Sequence, residues 1–162
     1  MAKTFKNTKE LEHFLIKQSR QALMKAQDEV HRIVKKWIGE FYKDYTPEFY
    51  ERTAQLFGSL VQSRIVQEGK GYKAEVYFDL DKFQYSKFAW QDGNAPTGEE
   101  VFEAATQGLH GAIGDAGGGY QFRYVSGNTG VSIWNDPIRE LDEKAIDILV
   151  DMLRAEGIPI KK

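Results

Sequence analysis

The chain has 162 residues, of which 41 % are apolar and 28 % charged, and its formal charge is −2. These values favour one globular domain spanning residues 1–162, and the small net charge disfavours unspecific binding to nucleic acid. The lack of cysteine excludes disulfides, thiolate nucleophiles and cysteine-ligated metal sites. No signal-like start and no apolar run near the ~20 residues that cross a bilayer are found, so we expect a soluble cytoplasmic product with no membrane partner.

The first predicted element is a long helix over about residues 8–43. Asn7 and Glu10 have the spacing of a capping box at its start. Apolar residues then recur at three- and four-residue intervals for roughly nine turns. The pattern predicts either one continuous helix or two helices broken near Ser19 or Gln27. Such a helix is longer than a small core, so its distal end either wraps the protein's own sheet or meets a partner chain.

Two strands are predicted next, joined as a hairpin. Residues 72–80 alternate between apolar and polar side chains, which is the period of a strand with one buried face. Residues 61–66 precede them across a loop at 68–71 that contains two glycines. The sequence therefore predicts an antiparallel pair.

A short middle helix and two short strands follow. Thr97 and Glu100 form a second capping box, which opens a helix that runs to Leu109 and ends at Gly108 or Gly111. Strands are predicted at residues 120–125 and 131–134, on either side of a turn at residues 126–128.

The last predicted element is a C-terminal helix. Asp136 is its predicted N-cap, Pro137 its first residue and Gly157 the glycine of a Schellman end, with Ile158 beyond it. Its apolar residues share one face: Ile138, Leu141, Ala145, Leu149 and Leu153. The predicted fold class is α+β, with a long N-terminal helix, a small mainly antiparallel sheet, a short middle helix and this C-terminal helix; the sheet and later helices occupy about residues 60–157.

The glycine-rich segment GLHGAIGDAGGGY, residues 108–120, has the wrong context for phosphate binding. Phosphate-binding glycines follow a strand and open a helix, whereas here a helix ends at the glycines and a strand follows. We interpret the segment as a flexible exposed loop. His110 within it has no nearby carboxylate or serine pattern, which favours a loop or capping role over acid–base catalysis.

No other titratable residues form a convincing catalytic or metal site. His13 and His31 are about five helical turns apart, too far to share an ion. Asp79 and Asp81 point to one side of a strand but supply few oxygen ligands, so a solvated strand face is favoured. We therefore expect no enzyme activity, metal or cofactor; a metal-dependent nuclease using these aspartates with Glu75 is a minor alternative.

Aromatic side chains are the main remaining feature, and interfaces favour them because they bury much area at small entropic cost. About half of these rings are expected in the core. The segment FQYSKFAWQDGNAP, residues 83–96, places rings in a polar connection where a small domain has little core to offer, and Trp90 is its best anchor. The candidate interface residues are Trp37, Phe41, Phe83, Tyr85, Phe88 and Trp90.

A resemblance to a known family comes from the run YTPEFYERTAQLFGSLV, residues 45–61, which lies between the long helix and the first strand. The run, the later AATQGLHG with its tryptophan and the closing helix resemble the tail-completion or head–tail joining family of long-tailed bacteriophages, minor structural proteins of the neck. The resemblance covers most of residues 20–157. The positions that match the motif core are Pro47, Tyr50, Arg52, Thr53 and Leu56.

The resemblance implies a non-enzymatic virion protein at the head–tail junction, made in the host cytoplasm. Its implied partners are further copies of itself in a ring, with six-fold symmetry preferred, and neighbouring head-closure and tail-tube or tail-terminator proteins. DNA would at most pass through the channel. Pro47 would fix the turn, and Arg52 would pair with a carboxylate within its own subunit or between subunits. The alternative is a small phage-encoded module that binds a host protein.

Overall fold

The computed structural model describes residues 4–43, 55–69, 71–83, 96–113 and 122–161, and it confirms the α+β class. The elements in chain order are α1 (Thr8–Lys43), α2 (Gln55–Ser59), β1 (Leu60–Gln62), β2 (Val66–Glu68), β3 (Gly71–Lys73), β4 (Val76–Phe78), a 3₁₀ helix (Leu80–Lys82), α3 (Gly98–Thr106), β5 (Leu109–Ile113), β6 (Phe122–Asn128) and α4 (Asn135–Ala155).

Helix α1 is one continuous element of 36 residues, which settles the question of a break at Ser19 or Gln27. Its start is capped by Asn7, whose side-chain oxygen accepts a hydrogen bond from the Glu10 N–H at 2.9 Å. The Glu10 carboxylate reaches back to the N–H of Lys6 at 2.8 Å, one residue before the partner that a capping box would use. The predicted cap is therefore present in a shifted form.

The predicted hairpin forms as two short antiparallel ladders, β1 with β4 and β2 with β3. Between them the ladder is interrupted, although the Ser63 N–H still donates to the Glu75 carbonyl at 2.8 Å. Gln27 of α1 lies buried over this interruption, and its side-chain amide donates to the carbonyls of Ser63, at 3.0 Å, and Glu75, at 2.9 Å. The Gln27 side chain thus connects the long helix to both strands of the hairpin at the point where their ladder is interrupted.

The pair β5 and β6 corrects the prediction for the second half of the chain. Residues 109–113, predicted as a helix end and exposed loop, form β5, and the predicted turn at residues 126–128 lies inside β6. Residues 131–134, predicted as a strand, lead into α4 instead. The ladder has two register shifts, and each shift disturbs the period-two alternation that marks a strand in sequence. The rest of the glycine segment, residues 114–120, is outside the described residues.

The ends of α3 and α4 are set by local signals. Thr97 and Glu100 form the predicted reciprocal capping box of α3, and Gly108 adopts φ +77° just after that helix. Helix α4 starts at Asn135, before the predicted start, because the Ser132 hydroxyl accepts the Asn135 N–H at 2.9 Å. Asp136, the predicted N-cap, accepts the Ser132 N–H instead.

The C-terminal end of α4 is the predicted Schellman motif. The N–H of Ile158 donates to the Leu153 carbonyl at 3.0 Å, and the N–H of Gly157 donates to the Arg154 carbonyl at 2.9 Å. Gly157 has φ +81°, the left-handed conformation that this motif requires.

The core lies between the second half of α1, α2, β1 and α3. Its buried apolar members are Ile38, Phe41, Leu56, Leu60, Phe83, Ala105 and Ile133. Helix α4 packs along α1 on another side, antiparallel to it, since Glu140 meets Lys36 near the end of α1 whereas Glu156 meets Lys25 near its middle. The first half of α1 extends past this core.

Candidate interaction surfaces

One residue of the predicted family motif is described, and it belongs to the core. Leu56 lies on α2 and is buried in the core cluster with Phe41 of α1 and Leu60 of β1. Its role in the described part of the fold is therefore to attach the segment after the long helix. Pro47, Tyr50, Arg52 and Thr53 are outside the described residues.

For two candidate interface rings the structure corrects the prediction. Phe41 is 2 % exposed and Phe83 is 8 % exposed, and both belong to the buried cluster of the subunit. A large ring at the end of an apolar helical stripe favours burial in the core, because full burial removes more apolar surface from water than a contact at the edge of an interface would. Tyr85, Phe88 and Trp90 are outside the described residues.

Trp37, the remaining candidate interface residue, binds α4 of its own chain. Its indole N–H donates to the Glu140 carboxylate at 2.7 Å, and the ammonium of Lys36 lies 2.8 Å from the same oxygen. The second oxygen of Glu140 accepts from Lys144 at 2.8 Å. The hydrogen bonds from Lys144 and Lys36, with a smaller one from Trp37, lower the pKa of Glu140 to about 2. This carboxylate holds α1 and α4 together.

His110 is a core residue rather than a loop residue. It is 3 % exposed, its ring stacks on Phe41 with centroids 4.1 Å apart, and its Nε2 lies 3.0 Å from the Phe41 carbonyl. A carbonyl only accepts hydrogen bonds, so Nε2 carries the proton. Phe41 lies in the last turn of α1, where carbonyls have no partner within the helix. His110 therefore caps the long helix from strand β5. Of the two predicted roles, capping is observed, but the residue lies in a strand and not in a loop.

Asp79, Asp81 and Glu75 were considered as metal ligands, and the two aspartates were predicted to lie on one face of a strand. None of the three lies in a strand of the structure. Strand β4 ends at Phe78, so Asp79 follows it and Asp81 lies in the 3₁₀ helix. Asp79 pairs with Lys82 at 3.7 Å, and Glu75 pairs with Lys73 at 2.8 Å. Within the described ranges no three acidic or histidine side chains come together as a metal site would require.

Helix α4 carries an apolar face that the described residues leave partly exposed, which the sequence did not indicate. Pro137 is the one buried residue among the 21 of this helix. Ile138, Leu149 and Ile146 are 38 %, 40 % and 78 % exposed, and Ala145 is also exposed. Trp134, 45 % exposed, extends the face beyond the start of the helix. We call this the α4 face. Three of the five residues of the apolar stripe that was predicted to face the core belong to it.

The first half of α1 carries a second uncovered apolar surface. Leu11, Leu15 and Ile16 are 37 %, 38 % and 46 % exposed. Together with Gln67 of β2 and Gly69 of the turn that follows it, they line a groove of about 620 Å³. Leu11 and Leu15 continue the stripe that is buried farther along the helix at Ala22, Ala26 and Ile33. We call this the α1 groove.

Neither apolar surface is a membrane span, because none of the helices in the described part of the chain is long and apolar enough to cross a bilayer.

Comparison with known proteins gives one finding. Neither a curated protein nor a solved structure matches the chain. The family model YomN matches residues 7–155, a range that includes α1, the hairpin, β5, β6 and α4. The name of this family is of phage origin, which suggests a phage protein. The chain belongs to the YomN family.

Proposed function

We propose that this protein is a non-enzymatic structural component of the phage neck that completes the tail and joins it to the head. It acts as copies arranged in a closed ring, with six-fold symmetry preferred. Its neighbours are a head-closure protein on one side and a tail-tube or tail-terminator protein on the other. DNA passes through the channel without being bound in a sequence-specific way.

The observation that carries the proposal is the pair of uncovered apolar surfaces, the α4 face and the α1 groove. Large contiguous apolar patches on a soluble domain mark sites of association, because exposing them to water costs free energy that a partner removes. A ring component needs two such surfaces on each subunit, one for each neighbour. The phage-type family and the resemblance of residues 45–61 to tail-completion proteins support the same role.

The test uses phage particles. Deleting the gene should leave filled heads and separate tails, and supplying the chain from a plasmid should restore joined virions. Cryo-electron microscopy of the restored particles should show density for the chain at the head–tail junction. A deletion that still yields joined, infectious particles would contradict the proposal.

A control distinguishes assembly from enzyme activity. His110→Phe keeps an aromatic ring in the core and removes the imidazole, so particles that contain folded variant should still join. If folded His110→Phe or Asp79→Asn protein reached the junction but left heads and tails separate, a chemical role for that residue would be indicated. Binding to a host protein with no chain found in virions would instead support the module that acts on the host.

A further inference from the structure

We propose that the α1 groove of one copy receives the α4 face of a second copy. The contact is therefore head to tail, between two different surfaces of the same chain. This contact would be the one between neighbouring subunits of the proposed ring. It rests on the proposed function only in that the repeated contact is taken to close into a ring. We infer which surface binds in the α1 groove from the charged residues that flank each apolar surface.

The two surfaces carry opposite charge. Residues 8–25, which contain the α1 groove, have four Lys or Arg side chains against two Glu, a net charge of +2, and one of the four, Lys25, is already paired with Glu156 of its own chain. Helix α4, Asn135–Ala155, has six Asp or Glu side chains against three Lys or Arg, a net charge of −3. An apolar surface with basic flanks thus meets an apolar surface with acidic flanks, which is the complementarity that steers and orients protein association.

Specific side chains are available to make these pairs. Lys17 and Arg20 are exposed beside the α1 groove and form no ion pair with any other described residue. The same holds for Asp142 and Glu143, which are exposed on α4 within one turn of Ile146. By contrast, Lys144 and Arg154 of α4 are paired within their own helix. Glu12, which lines the α1 groove, is also exposed and has no ion pair with a described residue. The unpaired charges around the groove therefore have a small basic excess, Lys9, Lys17 and Arg20 against Glu10 and Glu12, whereas those beside Ile146 are acidic.

Charge also argues against the two symmetric arrangements. Pairing two α4 faces would bring Asp142 and Glu143 of both copies together, and pairing two α1 grooves would bring Lys17 and Arg20 of both copies together. Like charges set side by side disfavour association. A contact between unlike surfaces leaves each subunit with one free groove and one free face, so it can continue from copy to copy until the ring closes.

The experiment exploits the absence of cysteine in the chain. One batch of full-length protein carries Ile16→Cys in the α1 groove, and a second, mass-tagged batch carries Ile146→Cys on the α4 face. A short bis-maleimide should cross-link the mixed batches at least about tenfold more than either batch alone. Glu103→Cys, on the exposed side of α3, is the matched control and should give only background when mixed with either batch.

Charge reversal then tests the orientation. Lys17→Glu with Arg20→Glu, added to the Ile16→Cys chain, should reduce the mixed cross-link about tenfold. Asp142→Lys with Glu143→Lys, added to the Ile146→Cys chain, should restore it. Circular dichroism melts check that each variant is folded, and because all four charged residues are exposed, the melts should match that of the parent chain.

The outcomes separate this contact from the neck function. Cross-links between like surfaces, yields equal to those of the Glu103→Cys control, or no mixed cross-link at millimolar protein would overturn the contact. Density at the head–tail junction would leave the neck function standing in each of those cases. Efficient mixed cross-linking by a chain that is absent from virions would keep the contact and overturn the neck function.

Discussion

Three polar side chains form hydrogen bonds between the long helix and other elements, each at a different position along the helix. Gln27 fastens α1 to the interrupted hairpin, Glu140 fastens it to α4, and His110 caps its last turn. Gln27 and His110 are buried, and buried polar groups cost free energy unless their hydrogen bonds are satisfied, so these two positions tolerate few replacements. The residues on which α1 depends are thus polar as well as apolar.

Glu140 should make stability depend on acid. Its pKa is about 2 in the folded protein, below the ordinary 4.5, because of Lys144, Lys36 and Trp37. A lowered pKa contributes stability that is fully present above pH 4.5 and lost as the pH falls toward 2. Urea unfolding of Glu140→Gln between pH 5 and pH 2 should therefore show a flatter decline than wild type.

Glu143→Gln is the matched control for this series, because it removes an exposed carboxylate from the same helix. It should leave the acid dependence close to that of wild type. An equal decline in wild type and Glu140→Gln would show that Glu140 contributes nothing to it.

Gln27 should tolerate loss of polarity better than gain of charge. Gln27→Met removes both donated hydrogen bonds and should cost about 2 kcal/mol in the free energy of unfolding. Gln27→Glu at pH 7 would set a carboxylate, which only accepts, against the carbonyls of Ser63 and Glu75. We expect it to cost at least about 1 kcal/mol more than Met. Chemical denaturation of both variants measures the difference, and equal losses would refute the assigned donor role.

At the scale of the element, two glycines in helices should respond to alanine in opposite directions. A Cβ at Gly98 would lie 2.4 Å from the Leu80 carbonyl oxygen, so Gly98→Ala must push α3 away from the 3₁₀ helix. We expect a loss of about 1–3 kcal/mol. Gly39 lies inside α1 with nothing within 4 Å of the same atom, so Gly39→Ala should stabilise the helix by up to about 1 kcal/mol. Thermal melts that shift in the same direction for both variants would contradict this.

Element ends were predictable because their signals are local. The Thr97 capping box and the Gly157 Schellman motif each depend on residues within one turn of the helix end, and both are confirmed. The start of α4 was predicted late because Pro137 and Asp136 looked like a first turn, whereas Ser132 performs the capping. Strand β5 was missed because its two register shifts break the alternation of a strand.

The candidate surfaces were harder to predict because exposure depends on distant parts of the chain. An apolar stripe such as that of α4 predicts a buried face, but it does not tell which element covers it. The face is exposed because α1 packs against a different side of the helix, where Glu140 meets Trp37. Phe41 and Phe83 show the opposite difference: both rings were predicted to be exposed at an interface, but they are buried in the core.

At the scale of the whole molecule, the two halves of α1 should differ in stability. The buried residues of this helix all lie at or beyond Ala22, whereas Leu11 and Leu15 border an open groove. Local opening is easiest where few apolar contacts are made. In dilute protein, amide hydrogens of residues 12–18 should exchange at least about tenfold faster than those of residues 30–41. Mass spectrometry of peptides from the two regions measures this, and uniform protection along α1 would contradict it.

The antiparallel packing of α1 on α4 has a consequence for synthesis of the protein. Lys25 and its partner Glu156 are separated by 131 positions, so a ribosome finishes α4 on the order of ten seconds after it finishes that part of α1. Throughout that interval the side of α1 that later meets α4 has no partner from its own chain. A nascent chain with an unmatched amphipathic helix is a substrate for chaperones and is prone to aggregate on polysomes. Slowing translation between codons 44 and 134 should therefore lower the yield of folded protein.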